Sequence, residues 1–273
     1  MTRQPHKTPP PVSVQQESFL RAHHRHHHRI ALGRLVLLLL FLGLWETAAR
    51  LGWIDSFFFS SPSGIVKYLG QMLVDHSFFT HTGVTLFETI ASFFLVTVLS
   101  LFTATLLWYQ NSLSEILEPY LVVLNALPKS ALAPLLIVWL GTGANTIIVA
   151  GLSVAVFGSI ISLYTGFCQV DPEMCKLIYT LGGSRKDALT KVILPSSVPL
   201  ILSSMKVNIG LALVGVIIGE FLAARRGLGY LIIYGSQVFQ LNMVITSIII
   251  LCAIAMVFYK LIQSAEHYYK KKY

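Results

Sequence analysis

Apolar and polar positions divide the chain into long hydrocarbon runs separated by short polar breaks. Six runs are long enough to cross a bilayer, which needs about 20 apolar residues each. They cover about Ile30–Leu51, Val84–Trp108, Glu118–Leu140, Asn145–Phe167, Val198–Ala223 and Leu241–Ile262. Between the first two, "SSPSGIVKYLGQML" is too polar to span. It places Ile65, Leu69, Met72 and Leu73 at helical spacing after Ser-Pro-Ser, which predicts an amphipathic helix on the outer surface. The longest polar interruption lies between runs four and five, from Gln169 to Pro199.

Composition agrees with the pattern. The chain of 273 residues is 55% hydrophobic and 12% charged, with mean hydropathy +0.70. Soluble domains carry roughly 25% charged residues, so a soluble core is excluded. The expected class is all-α: a polytopic membrane protein with about six transmembrane helices.

Charge sets an expected orientation. Arg21, Arg25 and Arg29 precede the first run, "YYKKKY" ends the chain, and Lys176, Arg185, Lys186 and Lys191 lie in the 169–199 loop. With six spans these segments share one side, which basic residues mark as the cytoplasm. The net charge of +8 therefore reads as cytoplasmic loops and not as a nucleic-acid surface. Aromatics at span ends (Trp45, Trp53, Phe57–Phe59, Trp108, Tyr230, Tyr268, Tyr269) suit an interfacial belt. The expected organisation is a disordered basic tail over 1–29, a transmembrane domain over 30–263 and a basic cytoplasmic tail over 264–273. The first apolar run reads as an uncleaved span, since no small-residue cleavage site follows it cleanly. "HHRHHHR" (His23–Arg29) has a metal-binding composition. No rigid element holds its five histidines, so it reads as a flexible juxtamembrane segment and no metal site is assigned. Cys168, Cys175 and Cys252 show no ligand spacing.

The 169–199 loop has its own local code. Asp171 is a helix N-cap, Pro172 suits the first helical position, and a helix is predicted to about Leu181. Gly182 and Gly183 break it. Ser184 caps a second short helix with Asp187 at the capping-box position. Pro195 and Pro199 mark entry to span five. The prediction is a rigid helix–glycine–helix knob at the inner membrane face. Two readings are open: an ordinary loop, or a knob shaped for a partner's groove.

Gly182, Val192, Leu194 and Pro195 fit the pattern glycine, nine residues, aliphatic, any residue, Leu-Pro. That pattern resembles the loop motif of permease subunits of ATP-binding-cassette (ABC) importers. Four further stretches resemble the nitrate/sulfonate/taurine class of these permeases, in order: "FFFSSPSGIV", "LPKSALAPLLIVWLGTG", "DPEMCKLIYTLGGSR" and "IGEFLAARRGLGYLI". The resemblance covers about Leu32–Ile262. It implies a type I importer permease fold, usually as a homodimer. It also implies a separate ATPase docked on Thr180, Leu181, Gly182, Gly183, Ser184, Arg185, Lys186 and Asp187, and an extracytoplasmic binding protein delivering substrate. Arg185 is expected as one exposed charge of that surface. The loop departs from the family where Lys176, Leu177 and Ile178 replace Glu-Ala-Ala, which puts one salt bridge to the ATPase in doubt. Phe87-Glu88 stands where an early arginine is common in span two.

Ionisable groups at membrane depth cost roughly 2.5–3.5 kcal/mol on insertion scales, so each needs a reason. Lys129, Lys206 and Glu220, with neutral Asn208, are candidates for a translocation pathway, as against structural pairing or snorkelling. Glu88 shares that ambiguity. A pathway lysine suits a small organic anion such as a sulfonate, taurine or nitrate; similar permeases also carry vitamin precursors. A secondary transporter is the rival class, but no internal repeat is evident. No catalytic motif, cofactor motif or Gly-Lys pair occurs and no histidine falls inside an expected span, so any ATP hydrolysis belongs to another subunit.

Overall fold

The structure, a computed structural model, describes residues 14–272. The chain divides into two compact units, up to Ser63 and from Gly64 onward. No strand occurs among the described residues. Helix α1 spans Val14–Arg50, α2 Ser56–Phe59, α3 Pro62–Val74 and α4 Ser77–Tyr109. Then come α5 Asn111–Ala126, α6 Lys129–Leu140 and α7 Ala144–Cys168. The knob is α8 Pro172–Thr180, α9 Arg185–Ala188, a π-helical turn Leu189–Ile193 and α10 Leu194–Ser196. Helices α11 Val198–Ala223, α12 Leu228–Gln237 and α13 Leu241–Lys272 complete the chain.

Several sequence expectations change. Residues 14–29 are helical and continuous with α1, not disordered. They carry no proline or glycine, and extending an existing helix avoids the cost of nucleation. The histidine run lies within this helix, whereas residues 1–13 fall outside the described part. Helix α13 runs on through residue 263. Of the apolar positions at helical spacing on α3, Ile65 and Met72 are buried in the protein and Leu73 is exposed. Helix α4 starts seven residues before the expected span and takes in His81.

The third span is not one helix. Helices α5 and α6 meet at Leu127–Pro128 with a bend of 96°. Proline lacks the donor and disfavours helix in the residue before it. Lys129 then caps the break from the far side: Nζ donates to the carbonyls of Leu124 and Asn125, the latter at 3.1 Å. These belong to the last turn of α5, where carbonyls have no helical partner. Counting the bent pair once, six segments among the described residues are long and apolar enough to cross a membrane.

Within the second unit, α4, α7 and α11 form the centre, and α4 packs inside-out. Its buried stripe is Thr85, Glu88, Thr89, Ser92, Val96, Ser100, Ala104 and Leu107, while Phe87, Phe94 and Phe102 point outward. Small and polar residues let helices approach closely in lipid, where apolar side chains face the solvent. The closest approach is between α11 and α7: a Cβ on Gly215 would lie 2.7 Å from the Gly151 Cα. Two further clusters define the ends. Ala104, Leu163, Phe167, Leu189 and Ile193 pack together at the knob end. Ile147, Val216 and Ala223, with Ile137 of α6 against them, pack at the other. So α5 starts beside the knob and α6 finishes at the opposite end. That placement is the arrangement of one broken span and not of a re-entrant loop, which would return to the knob end.

Candidate functional site

The knob is built from short-range signals. The Asp171 carboxylate accepts from Glu173 N at 2.9 Å and Pro172 fills the first helical position. At the other end of α8, Gly183 N donates to Ile178 O at 2.9 Å and Gly182 N to Tyr179 O at 3.0 Å. This pair of bonds is the Schellman stop, which needs a left-handed residue; Gly182 supplies it with φ +80°. Gly183 is constrained differently, because a Cβ there would sit 2.5 Å from Ile178 Cγ2 and 2.8 Å from Ile178 O. Ser184 and Asp187 then form a full capping box. Asp187 also pairs with Lys191 at 2.8 Å. The Lys191 hydrogen bond, with those from Ser184, holds the Asp187 carboxyl well below its usual range. All three local predictions hold: cap, glycine break and second cap.

Two anchors fix the knob to the bundle. Ala188, Leu189 and Ile193 are buried, the last two in the cluster with Ala104, Leu163 and Phe167. The second anchor is Arg185, and it corrects an expectation. Arg185 is not a free surface charge: Nη2 donates to Trp108 O at 2.8 Å and to Asn111 Oδ1 at 2.6 Å. Its guanidinium also lies over the Trp108 and Tyr109 rings, 5.4 and 5.9 Å from their centroids.

The outward face of the knob is apolar where a solvated loop would be polar. Leu181 is 75% exposed, and Leu177 and Met174 are more than half exposed. Lys176, which replaces the family's acidic residue, pairs with Glu173 at 2.7 Å on the same helix. Thr180 and Lys186 are exposed beside them.

The four membrane-depth candidates have separate partners. Lys129 is partly buried at the bend, capping α5 with its ammonium 5.4 Å from the Phe157 ring centroid. Lys206 pairs with Glu266 of α13. Asn208 is buried and donates to Ser159 Oγ of α7 at 2.8 Å. Glu220 is fully buried. Its Oε1 accepts from Thr85 at 2.7 Å and its Oε2 from Gly229 N at 2.5 Å.

Around Glu220 lies a network that sequence reasoning missed. Leu228 N donates to Thr85 Oγ1 at 2.8 Å, and Gly227 N to His81 Nδ1 at 3.0 Å. Glu88 is buried on the same face of α4 one turn from Thr85, and its Oε2 has no hydrogen-bond partner. Cβ atoms on Gly227 or Gly229 would strike the Glu220 carboxylate. Glycine at these positions lets the start of α12 close on it. The signal was present in "GEFLAARRGLG", a carboxylate followed by two spaced glycines. Its partners on α4, however, are 135 residues away.

These features define an all-α polytopic membrane protein with a capped, jointed helical knob at one end of its bundle. The comparisons give the family. The model of the binding-protein-dependent transport system inner membrane component matches residues 96–268, more than half of the chain. A "Probable ABC transporter permease protein" of Haemophilus influenzae is 30% identical over 82% of this chain and 91% of its own length. The riboflavin transport system permease protein of Chloroflexus aurantiacus is 27% identical, covering 85% of this chain and 86% of its own. The taurine transport system permease protein of Escherichia coli is 25% identical over 83% of each. Among solved structures, an inward-facing methionine ABC transporter chain shares the fold with TM-score 0.61. It is 16% identical, covering 68% of this chain and 93% of that one. The chain belongs to the binding-protein-dependent transport family and is an ABC importer permease subunit.

Proposed function

We propose that this permease forms the translocation pathway of an ATP-driven importer and is driven through its 169–199 knob by a separate ATPase subunit. The observation that carries this reading is the knob itself. It is capped at both helices, jointed at Gly182–Gly183, anchored on the bundle, and apolar on its free face at Met174, Leu177 and Leu181. An exposed apolar patch on a rigid support is the mark of an interaction site. Thr180, Leu181 and Lys186 contribute side chains to that face, Gly182 and Gly183 the joint, and Ser184 and Asp187 its stiffness. Arg185 turns to the bundle. As the family resemblance implies, two copies enclose the pathway and a binding protein delivers substrate from outside.

The substrate class is a small organic anion. Lys129 supports this: of the two candidate lysines, Lys206 pairs with Glu266, whereas Lys129 lies at the bend of the broken span with its ammonium on backbone carbonyls. Lys206, Asn208 and Glu220 serve helix pairing instead. A vitamin precursor is the second reading, favoured by the riboflavin-transport relative. The docking test is purification of the complex carrying Leu177→Glu and Leu181→Glu together. Loss of the ATPase subunit from an otherwise folded permease is expected; full retention overturns the docking reading. The substrate test is uptake of ethanesulfonate and of riboflavin into vesicles, with Lys129→Gln lowering only the sulfonate's uptake.

A further inference from the structure

Arg185 lies at a junction of three elements. It is the first residue of α9, three positions past the left-handed Gly182. One nitrogen, Nη2, holds the Trp108 carbonyl in the last turn of α4 and the Asn111 side chain that opens α5. The Trp108 carbonyl belongs to the last turn, where no intrahelical donor exists, and a cation is favoured at a helix C-terminus. Only Gln110 separates the two helices, so the guanidinium clasps the whole corner. The planar fork and the two aromatic rings fix its direction as well as its position.

The apolar anchor of the knob does something different. Its cluster joins α4 and α7 but contains no residue of α5. Arg185 with Asn111 is a direct hydrogen bond from α9 to α5. Helix α5 then leads through Pro119 to the 96° bend at Leu127–Pro128 and to Lys129. We propose that Arg185 is the positioning residue that transmits displacement of the knob to the α4–α5 corner, and through α5 to the broken span. The proposal rests on the docking reading above. It removes Arg185 from the ATPase surface and assigns it to transmission inside the permease. Two directional bonds at 2.6–2.8 Å, one to each side of a one-residue link, suit a strut. An apolar contact there would let the corner slide.

The test uses the permease purified with its ATPase subunit and reconstituted in lipid nanodiscs. Amide hydrogen exchange over residues 104–114 is measured without nucleotide and with ATP plus vanadate. In the native complex the corner is expected to show a nucleotide-dependent change in exchange. Arg185→Gln should retain the ATPase and lose that change. Asn111→Ala should keep it over 104–109 and lose it over 111–114, because only the α5 half of the clasp is removed. A purely structural role for Arg185 predicts faster exchange in both states with the nucleotide-dependent difference intact. That result overturns the proposal, as does a native corner that ignores nucleotide. Loss of the ATPase from Arg185→Gln overturns it too, by returning the residue to the docking surface. If the native permease itself retains no ATPase, the docking reading falls first. If all variants retain both the ATPase and the difference, only the strut falls.

Discussion

Thr85 donates its hydroxyl hydrogen to Glu220 Oε1 at 2.7 Å and accepts from Leu228 N at 2.8 Å. One small hydroxyl thus ties α4 to the exit of α11 and to the first turn of α12. Both of its partners are buried polar groups at membrane depth, where water is not available to replace a lost bond.

Thr85→Val keeps the shape and removes both bonds. Each buried polar group left without a partner costs about 1–3 kcal/mol, so a clear fall in the detergent-solubilised melting temperature is expected. Thr85→Ser should restore most of it. The control is one helical turn away: the Thr89 hydroxyl is buried and has no hydrogen-bond partner. Thr89→Val should be neutral or stabilising. Equal losses at the two threonines would remove the network from any role in stability.

The two knob glycines should fail for different reasons. Gly182 has open space around its Cβ position but φ +80°. Its tolerance is therefore set by backbone conformation, and Asn, which enters the left-handed region more readily, should serve better than Val. Gly183 is limited by contact with Ile178 O at 2.8 Å. Gly183→Ala should therefore already disturb the Schellman stop. Retention of the ATPase during purification ranks the variants. The expected order is Gly182→Asn above Gly182→Val, with Gly183→Ala impaired. An intact Gly183→Ala would mean the joint opens without harm.

Lys206 and Glu266 pair between α11 and α13 with side chains 17% and 11% exposed. Removing one partner of a buried pair costs about 3–5 kcal/mol, whereas replacing both with apolar residues is often nearly neutral. Lys206→Met should therefore destabilise more than Lys206→Met combined with Glu266→Leu. Thermal unfolding of the two variants checks this. If the double variant is the worse one, the pair is not the reason for a lysine inside span five.

Much of this was legible locally. The Asp171 cap and the Ser184–Asp187 box rest on contacts within three residues, so sequence spacing determines them. The apolar runs mark the spans for the same reason. Three things were not legible. Pro128 announces an interruption, but the size of the bend depends on how α6 packs against α7. Helix α12 was not expected, because Leu228–Gln237 is too short to stand out as a span. The partners of Arg185 and Lys206 lie on other helices, and nothing near those residues in sequence names them; for Glu220 the two spaced glycines were a local signal, but Thr85 on α4 was not. Arg185 in particular reads as a surface charge until Trp108 and Asn111 are brought beside it.

The last prediction concerns which ends of the bundle share a side of the membrane. Asn111 lies beside the knob through Arg185, and Ile137 packs with the cluster containing Ala223 at the far end. The bent pair therefore crosses once. Helices α4, α5–α6, α7, α11 and α13 then make an odd number of crossings between Asp75 and Lys271, which must face opposite sides. The knob and the C-terminal segment are rich in lysine and arginine, and on the positive-inside rule both are expected in the cytoplasm. Asp75 is exposed just before α4 and Lys271 is exposed near the end of α13. With Cys168, Cys175 and Cys252 replaced, Asp75→Cys should react with a membrane-impermeant thiol reagent in intact cells. Lys271→Cys and Ser112→Cys should react only after permeabilisation. If Asp75→Cys and Lys271→Cys behave alike, the α5–α6 pair enters and leaves on one side. The bend would then be a re-entrant loop, and Lys129 would sit at its tip instead of midway along a span.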